Sequence, residues 1–246
     1  MELAGKAILI TGGKRMGAAA ALAFAEHGAD VALVYNRSST EADRAAEDVR
    51  RAGRRAVTFQ ADLEDPEACE AVVHRAAEAL GRLDVLINMA SVYRSVSLDD
   101  TDVGIWDATV NVDLRAAYLC ARTAIPYMRR AGAGRIVNFA DWIAASGRPR
   151  YKNFLPYYVA KRAVMGLTEA LALELAADGI LVNAIAPGPI LPPEGTTPEE
   201  HKAVEAATPV GRWGGEQEIV KTLLYLIHAD FVTGETIRVD GGRHIK

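Results

Sequence analysis

Two residues in the second half of the chain, Tyr157 and Lys161, have types and spacing suited to acid–base chemistry. Residues four positions apart lie on the same side of a helix, one turn from each other. An ammonium beside a phenol favours the phenolate, because a nearby opposite charge stabilises the ionised form. The pair could therefore donate or accept a proton near neutral pH. The same spacing also occurs in ordinary helices, as a surface lysine above a half-buried ring, so the surrounding chain must decide between the two interpretations.

The elements that would position this pair alternate between short apolar runs and helical segments. Residues 7–10 form a fully apolar run, as expected of a strand buried on both faces. A helix that ends near Gly28 follows, and Thr40 is the predicted N-cap of the next helix. Repetition of this unit predicts an α/β fold, with a parallel sheet and helices on both faces. The predicted strands are residues 7–10, 30–35, 56–60, 84–88, 135–139, 180–186 and 236–239.

Two long helices and an irregular segment are predicted in the second half of the chain. The helices cover residues 107–130 and 155–177, and a loop over 140–153 precedes the second of them. The segment of about 188–214 is rich in proline and glycine and includes a short predicted helix at 198–206. It is either a lid beside a site or a surface excursion.

Composition and charge bound the kinds of partner that we expect. A formal net charge of -4 gives no reason to expect nucleic acid or an anionic membrane surface. The N-terminal residues lack a secretion-signal pattern, and no apolar run reaches the roughly 18 residues of a membrane span. Cys69 and Cys120 are far apart and lack companions at metal-ligand spacing, so we expect reduced thiols in a cytoplasmic protein without a metal site. Composition is uniform, which predicts a single domain over 1–246.

A glycine-rich turn, Thr11-Gly12-Gly13-Lys14-Arg15-Met16-Gly17, connects the first predicted strand to the first helix. Small residues there let the backbone approach a pyrophosphate, and the helix directs free N–H groups and its positive dipole end at that anion. Lys14 and Arg15 add positive charge at the same place. The position of the turn between strand and helix makes it a more specific signal for a dinucleotide site than the glycines alone.

The end of the second predicted strand indicates which dinucleotide is bound. An acidic residue there would bind the ribose 2′-hydroxyl and repel a 2′-phosphate. Asn36, Arg37 and Ser38 stand there instead. Arg37 and Ser38, with Lys14 or Arg15 across the crevice, could hold a 2′-phosphate by charge-assisted hydrogen bonds. We therefore predict NADP(H) rather than NAD(H); the alternative for Arg37 is a solvated turn residue.

Several short motifs occur in an order and at a spacing that resemble one family. They are Thr11-Gly12, Asp62-Leu63, Asn88-x-Ala90-Ser91, Asn111, Tyr157-x-x-x-Lys161, Pro187-Gly188 and Val239-Asp240-Gly241-Gly242. The whole chain resembles the short-chain dehydrogenases/reductases. This resemblance implies a single-domain Rossmann fold with a doubly wound, seven-stranded parallel sheet and a small-molecule substrate. It also implies a homotetramer, or a homodimer, in which helices 107–130 and 155–177 pair with those of other subunits.

The resemblance also implies roles for individual residues. Tyr157 would be the general acid that protonates the reduced substrate, and Lys161 would lower its pKa and hold the nicotinamide ribose. Asn111 would support a water path for proton supply. The hydride chemistry is the cofactor's. The cofactor-binding residues that we predict are Gly12, Lys14, Arg15, Met16, Asn36, Arg37, Ser38, Asp62, Leu63, Asn88, Ala90, Ser91, Lys161, Pro187, Gly188 and Ile190.

Departures from the family pattern bear on the substrate. The glycine turn is one residue short, which places Arg15 at the middle glycine, and Asp141 stands where most members have the catalytic serine. Pteridine reductases are similar at both places. The interval from Asp141 to Tyr157 is longer than usual, so Ser146 remains an alternative to Asp141.

Aromatic residues extend the similarity to pteridine reductases. Tyr93 lies where those enzymes place a phenylalanine that sandwiches the pterin against the nicotinamide, while Trp142 and Phe154 either complete an aromatic wall or pack in the core. An ionised carboxylate only accepts hydrogen bonds, so Asp141 would suit a substrate with N–H groups or would orient Tyr157. Protonated by burial, it could instead donate. The predicted catalytic residues are Asp141, Tyr157, Lys161 and Asn111, and the predicted substrate contacts are Tyr93, Trp142 and Arg15.

Three functions follow from these patterns. The first is an NADP(H)-dependent oxidoreductase that transfers a hydride to a C=N or C=O bond, with a site like that of pteridine reductases. The second is a 3-oxoacyl-[acyl-carrier-protein] reductase or a general ketone/alcohol dehydrogenase. The third is a regulatory or scaffold protein that binds the cofactor without catalysis. The joint presence of Tyr157, Lys161 and Asn111 favours an enzyme.

Overall fold

A single sheet of parallel strands forms the centre of the protein in a computed structural model that describes residues 1–12, 14–147, 149–193 and 195–246. Within that part of the chain the sheet has seven strands in the order β3-β2-β1-β4-β5-β6-β7, and every neighbouring pair is parallel. This confirms the predicted doubly wound, seven-stranded sheet. The strands are β1 (Ala7–Thr11), β2 (Asp30–Tyr35), β3 (Ala56–Gln60), β4 (Val85–Asn88), β5 (Gly134–Phe139), β6 (Ile180–Pro187) and β7 (Thr236–Val239).

Helices cover both faces of the sheet, as the strand–helix alternation predicted. One apolar cluster packs Phe24, Val49 and Leu223 against one face, and a second packs Val73 and Leu175 against the other. The α-helices of the described residues are α1 (Lys14–Glu26), α2 (Ser39–Arg51), α3 (Pro66–Leu80), α4 (Val103–Val110), α5 (Ala116–Ala131), α6 (Trp142–Ala145), α7 (Leu155–Leu175), α8 (Pro198–Ala207) and α9 (Glu216–His228). No helix in these described ranges is both long and apolar enough to cross a membrane.

The central strands are apolar because both of their faces are buried. Ile8, Leu9 and Ile10 have no exposed surface, although successive side chains of a strand point to opposite faces. Side chains in the middle of these strands therefore pack in the two cores. In β1 and β4 the polar residues, Thr11 and Asn88, are the last residues of the strands, which is where a site can form.

Three local predictions differ from the structure. The helix predicted over 107–130 begins earlier, at Val103, because the side chain of Asp102 accepts a hydrogen bond from the N–H of Ile105 at 2.8 Å. A π-helical turn, Asn111–Arg115, then separates α4 from α5. Thr40 is not the cap of α2, which already begins at Ser39.

The loop predicted over 140–153 contains the one-turn helix α6. The side chain of Asp141 accepts a hydrogen bond from the N–H of Ile143 at 2.7 Å and caps this helix. The cap fixes the side chain of Asp141 at the end of β5, beside the first turn of α7.

The carboxyl ends of the parallel strands meet at one edge of the sheet. β1 is flanked there by β2 and β4, so the strand order reverses at β1. Strand-order reversal leaves a crevice outside the carboxyl ends of the strands, which is where open α/β sheets bind ligands. Thr11, Asn88 and Phe139 end the three central strands at this edge.

At the opposite edge, the carboxylate of Asp84 joins β1 to β4. It has no exposed surface and accepts hydrogen bonds from the N–H of Ala7 at 3.0 Å and from the Arg82 guanidinium at 2.7 Å, and Lys6 lies 3.4 Å away. Burial by itself would raise the pKa of Asp84, but the Arg82, Ala7 and Lys6 interactions outweigh it and hold that pKa below its ordinary value.

We expect Asp84→Ala to lower the free energy of unfolding by about 3–5 kcal/mol, because it leaves buried donors without an acceptor. Asp48→Ala, which removes an exposed partner of Arg51, is the matched control and should change it by no more than about 0.5 kcal/mol. Urea unfolding measures both.

The Asp84 contribution also has a defined pH dependence. A depressed pKa in the folded state stabilises the fold above the unfolded pKa of about 3.9 and is lost as the pH falls through the folded value. The difference between the wild type and Asp84→Ala should therefore shrink on acidification. A difference that is constant down to pH 2 would contradict this account.

Candidate active site

The hydroxyl of Tyr157 lies on the carboxylate of Asp141. Its Oη donates a hydrogen bond to Asp141 Oδ2 over 3.0 Å. Tyr157 is in the first turn of α7, and Asp141 follows β5, so the end of a central strand and the start of a helix bring the two together. Asp141 uses its other oxygen to cap α6, which fixes the orientation of the carboxylate. The structure thus pairs two of the predicted catalytic residues.

Ser146, the alternative to Asp141, has a different partner. Its hydroxyl donates to the carbonyl oxygen of Trp142 over 2.6 Å, one turn back along the chain. Asp141 is therefore the residue that meets Tyr157, and the longer interval before Tyr157 does not move it away from the site.

Lys161 is one turn beyond Tyr157, as predicted, but its ammonium points to other acceptors. Nζ donates to the carbonyl oxygen of Phe139 over 2.8 Å and lies 3.0 Å from Oδ1 of Asp113. The side chains of Lys161 and Asp113 are both almost fully buried. Nζ is 5.6 Å from the centre of the Tyr157 ring, so the ammonium still lies close to this ring.

Asp113, which the sequence analysis missed, also anchors the loop that follows β4. Its Oδ2 accepts a hydrogen bond from the N–H of Val92 over 2.8 Å, and its Oδ1 accepts from the hydroxyl of Ser91. The available signal was an aspartate within a mostly apolar helical stretch, where a charge is costly unless it is paired. The structure shows that Lys161 is this partner.

Asn111, whose support of a water path stays a prediction, lies between α4 and α5. It is the first residue of the π-helical turn, and its carbonyl oxygen accepts the backbone hydrogen bond of Ala116. Within the described ranges its side chain has no hydrogen bond. The contact with Lys161 comes from Asp113, two residues later.

The surroundings of Tyr157 and Asp141 raise the pKa of both side chains above its ordinary value. Burial raises the pKa of Asp141, although the N–H of Ile143, the hydroxyl of Tyr157 and the charge of Lys161 oppose it. Burial, and then the negative charges of Asp141 and Asp113, raise the pKa of Tyr157 well above its ordinary value. The expectation that Lys161 lowers the pKa of Tyr157 stays a prediction, since burial and the carboxylates of Asp141 and Asp113 are the largest influences on that pKa here.

A cavity of about 400 Å³ lies at the carboxyl ends of β1, β2 and β4, and Asp141, Tyr157 and Lys161 are not among its lining residues. Its wall also includes Glu41, Ala42 and Val112, among other residues. The predicted cofactor residues that line it are Gly12, Lys14, Asn36, Arg37, Ser38, Asp62, Leu63, Ala90 and Ser91.

The other predicted cofactor residues have different surroundings. Asn88 is buried and donates to Oδ1 of Asn138 over 2.9 Å. Met16 is partly buried and packs against an apolar core, Pro187 ends β6, and Ile190 is buried. Gly188 lines a second cavity, described below.

The glycine turn fits closely against the loop after β4. A Cβ on Gly12 would lie 2.7 Å from the Cα of Ala90, so only a residue without a side chain allows this approach. Gly13 lies outside the described residues. Arg15 donates from both terminal nitrogens to the carbonyl oxygen of Pro192, at 3.3 and 3.2 Å, and does not line either cavity.

Two cationic side chains, Lys14 and Arg37, lie at one end of the first cavity. Lys14 forms an ion pair with Glu41 at 2.7 Å across the cavity wall, and Arg37 and Ser38 lie at its rim. Glu41 is the carboxylate nearest to the end of β2 in sequence, and the Lys14 ammonium balances its charge. The side chains around this end can therefore accept an anionic group.

A second cavity, of about 640 Å³, opens on the other side of Asp141. Tyr93 and Trp142 line it, as predicted for substrate contacts. Phe154 stacks on Tyr93 with ring centres 4.7 Å apart, and the Tyr93 ring meets Tyr157 edge-on at 4.9 Å. The wall contributed by the predicted substrate loop consists of Gly188, Pro189, Leu191, Pro193, Gly195, Thr196, Glu200, Val204 and Trp213.

The described residues contain no group of three or more His, Cys, Asp or Glu side chains placed to hold a metal ion. Cys69 and Cys120 are free thiols buried between α3 and α5.

Comparison with known proteins agrees with this architecture. A family model described as enoyl-(acyl carrier protein) reductase matches residues 13–244. The chain is 36% identical to (2S)-[(R)-hydroxy(phenyl)methyl]succinyl-CoA dehydrogenase subunit BbsD of Thauera aromatica, over 100% of this chain and 99% of that protein. It is 33% identical to the 3-oxoacyl-[acyl-carrier-protein] reductase FabG of Staphylococcus aureus, over 98% of each chain.

A solved structure shares the whole fold. The short-chain dehydrogenase of Burkholderia cenocepacia in complex with NADP superposes with a TM-score of 0.91 at 33% identity, over 99% of each chain. The seven-stranded parallel sheet, with Tyr157, Asp141 and Lys161 at its carboxyl edge, agrees with these similarities. Together they show that the chain belongs to the short-chain dehydrogenase/reductase family of oxidoreductases.

Proposed function

We propose that the protein is an NADP(H)-dependent reductase that transfers a hydride to a C=N or C=O bond, with Tyr157 as the general acid. The observation that carries the proposal is the hydrogen bond from Tyr157 Oη to Asp141 Oδ2, at 3.0 Å, beside the second cavity, which Asp141 lines. A phenol held there can protonate the atom that receives negative charge when a hydride arrives from the neighbouring cavity. The nicotinamide supplies that hydride when it is bound.

The first cavity supports the assignment of NADP(H). Backbone approach at Gly12 and the N-terminus of α1 suit a pyrophosphate, and Asp62 and Leu63 line the region expected for adenine. Arg37 and Ser38 stand where a 2′-phosphate would lie, and Lys14 is placed to move from Glu41 to that anion. The Burkholderia relative was solved with NADP, which supports the same choice.

The second cavity supports a planar substrate. Tyr93 presents an aromatic face beside Tyr157, and Asp141 presents a carboxyl group in the same wall. Ionised, Asp141 accepts hydrogen bonds from N–H groups of a substrate; protonated, it can pass a proton to Tyr157. These features favour a heterocycle with a C=N bond and ring nitrogens, of the kind that pteridine reductases reduce.

A second candidate function is the reduction of 3-oxoacyl thioesters. The names of the two relatives, one acting on an acyl-CoA and one on an acyl-carrier-protein thioester, favour it. The size of the second cavity also suits an acyl chain. The two candidates differ in what they require of Asp141, because a ketone oxygen needs a donor while a ring N–H needs an acceptor.

We also propose that the protein is a cytoplasmic homotetramer or homodimer. Leu155, Val159 and Leu173 are 44%, 37% and 83% exposed and lie at helical spacing along one side of α7, and Tyr118 on α5 is 41% exposed. Such an apolar stripe suits pairing with a second copy. The two free thiols suit a reducing compartment, which fractionation of cells that express the chain would test.

Charge reversal at the rim of the first cavity tests the cofactor. Arg37→Asp removes a phosphate ligand and adds a repulsive carboxylate, so the Kd for NADPH should rise about 10- to 100-fold while that for NADH changes little or falls. Fluorescence titration measures both constants. Arg51→Asp, at the far end of α2, is the control and should leave them unchanged. An unaltered preference for NADPH in Arg37→Asp would remove the argument for this cofactor.

Asp141→Ser tests which substrate class the site accepts. Serine also caps helices well, so α6 should persist. We expect turnover of a dihydropterin to fall at least about tenfold, since a neutral hydroxyl accepts from its N–H groups more weakly than a carboxylate does, while acetoacetyl thioester reduction is kept or raised. Ser146→Ala is the control. Intact dihydropterin turnover in Asp141→Ser would show that the second candidate is the better one.

Light scattering tests the assembly. The wild-type chain should have four times, or twice, the mass of one chain, and Leu173→Glu should lower that mass because it buries a charge in the apolar stripe. A wild-type monomer at high protein concentration would end the proposal.

A further inference from the structure

The second cavity contains a cationic side chain that the proposed chemistry does not use. Arg243 is the one Lys, Arg or His residue among the described residues that line this cavity. It begins the short 3₁₀ turn Arg243–Ile245 that follows β7. An arginine that lines a substrate cavity can bind an anionic group of the substrate, provided that its guanidinium is fixed in place and has donors that are not already used. The contacts of Arg243 meet both conditions.

The turn that carries Arg243 is fixed by the buried carboxylate of Asp240. This carboxylate accepts hydrogen bonds from the N–H groups of Gly242 and His244, each over 3.0 Å. Gly242 has a φ of 81°, which favours glycine, so the backbone turns sharply just before Arg243. The motif Val239-Asp240-Gly241-Gly242 therefore sets the direction from which Arg243 reaches the cavity wall.

The guanidinium of Arg243 is held by neutral groups from three segments. Its Nη1 donates to the carbonyl oxygen of Val204 over 2.8 Å and to the hydroxyl of Thr208 over 3.3 Å, at the end of α8. Its Nη2 donates to the hydroxyl of Tyr151 over 3.4 Å. Its central carbon lies 5.8 Å from the centre of the Trp142 ring, within the range of a cation–π interaction. None of these partners neutralises the positive charge.

The hydrogen bonds of Arg243 leave part of its donor set for a ligand. A guanidinium has five N–H groups in a planar arrangement. Within the described chain, three hydrogen bonds use both hydrogens of Nη1 and one of Nη2. The Nε–H and the second Nη2–H are left, and guanidinium and carboxylate groups pair through two such donors.

The two carboxylates in the wall of the same cavity already have donors. Glu200 is in the first turn of α8, and its Oε2 accepts a hydrogen bond from the N–H of Thr197 over 2.8 Å in a capping box. Asp141 accepts from the N–H of Ile143 and from the hydroxyl of Tyr157. Neither carboxylate forms an ion pair with Arg243 in the described part of the chain, so the positive charge is left for the ligand.

We propose that Arg243 determines specificity by binding a carboxylate of the substrate. The substrate would then be an acid, with a reducible C=N or C=O bond beside Tyr157 and a carboxylate elsewhere in the molecule. This inference rests on the proposed function and adds a chemical class to it. It applies to a heterocycle and to an acyl compound alike. A substrate without the carboxylate leaves the donors of Arg243 without an anionic partner in the complex, which weakens its binding.

Matched substrates test the proposal in the wild-type enzyme with NADPH. One set is a series of 4-acetylphenyl carboxylic acids of increasing chain length, each paired with its methyl ester. Dihydropteroate and its methyl ester serve for the heterocycles. We expect the KM of the best acid to be about 10- to 100-fold below that of its ester, the range that a charged hydrogen-bonded contact provides. Equal KM values for acid and ester in every pair would overturn the proposal.

Arg243→Gln tests the residue itself, because glutamine keeps a donor but removes the charge. The ratio of the KM values for ester and acid should fall toward one, mainly through a higher KM for the acid. Arg243→Lys keeps the charge without the planar fork and should restore part of the ratio. A ratio that is unchanged in Arg243→Gln would overturn the proposal. If that variant does not fold, the matched substrates still decide.

Arg150→Gln is the control for packing. Arg150 lies over the same Trp142 ring, 5.4 Å from its centre, and donates to the carbonyl oxygens of His244 and Lys246. It does not line the second cavity. Its replacement therefore loosens the segment around Arg243 but leaves the charge of the cavity unchanged, and the ratio should be kept. Loss of the ratio in Arg150→Gln would indicate packing rather than charge and would contradict the proposal.

Binding without turnover separates this inference from the proposed function. Trp142 and Trp213 line the second cavity, so tryptophan fluorescence can follow the binding of 4-ethylphenyl carboxylic acids, which have no reducible bond, in the presence of NADP⁺. If no C=N or C=O compound is reduced, the proposed function fails, and tighter binding of these acids than of their esters, lost in Arg243→Gln, still supports the inference. If acids and esters are reduced equally well, the inference fails and the proposed function stands.

Discussion

Burial of both faces of the parallel sheet is the constraint on which the rest of the molecule depends. With helices packed on each side, the middle of every central strand is closed to polar groups, and the chain can present chemistry only where strands stop. The strand ends at Thr11, Asn88 and Phe139 lie at one edge because the strands are parallel. Every functional feature of this protein is built from the turns and helix starts that leave that edge.

The candidate site combines two neighbouring pairs, the hydrogen-bonded Tyr157 and Asp141 and the buried ion pair of Lys161 and Asp113. The Tyr157 hydroxyl and the Asp141 carboxyl are partly screened from water. Asp141 stabilises the protonated form of Tyr157, whereas the Tyr157 hydroxyl stabilises the ionised form of Asp141. The ammonium of Lys161 is buried among acceptors of its own. The site is therefore a small network of coupled protons, in which changing any one charge alters the behaviour of the others.

Features with a short-range physical cause could be predicted from the sequence. The apolar runs predicted the seven strands, the glycine turn predicted the start of α1, and the spacing of Tyr157 and Lys161 placed both on the first turns of α7. The absence of an acidic residue at the end of β2 likewise marked Arg37 and Ser38, which the structure places at the cavity rim. Each of these depends on neighbours within a few positions.

Features that depend on distant contacts were missed. The π-helical turn between α4 and α5 has no signature in local propensity, so the sequence did not indicate that Asp113 pairs with Lys161. The direction of the Lys161 head group depends on acceptors from β5 and from that turn, which sequence spacing does not reveal. The hydrogen bonds of Arg15 to Pro192, in a loop far along the chain, were not indicated by the sequence either, and its contacts with cofactor and substrate stay predictions. These features depend on tertiary contacts, which local sequence patterns do not determine.

Asp141 performs two tasks with one side chain: one oxygen begins helix α6 and the other holds Tyr157. A residue in this position must therefore satisfy a folding requirement before it can serve in catalysis. The short polar side chains that cap helices well are serine, threonine, aspartate and asparagine. Evolution can exchange a hydroxyl for a carboxylate here without rebuilding the backbone, and so can alter the chemistry offered to a substrate by a single substitution within that small set of residue types.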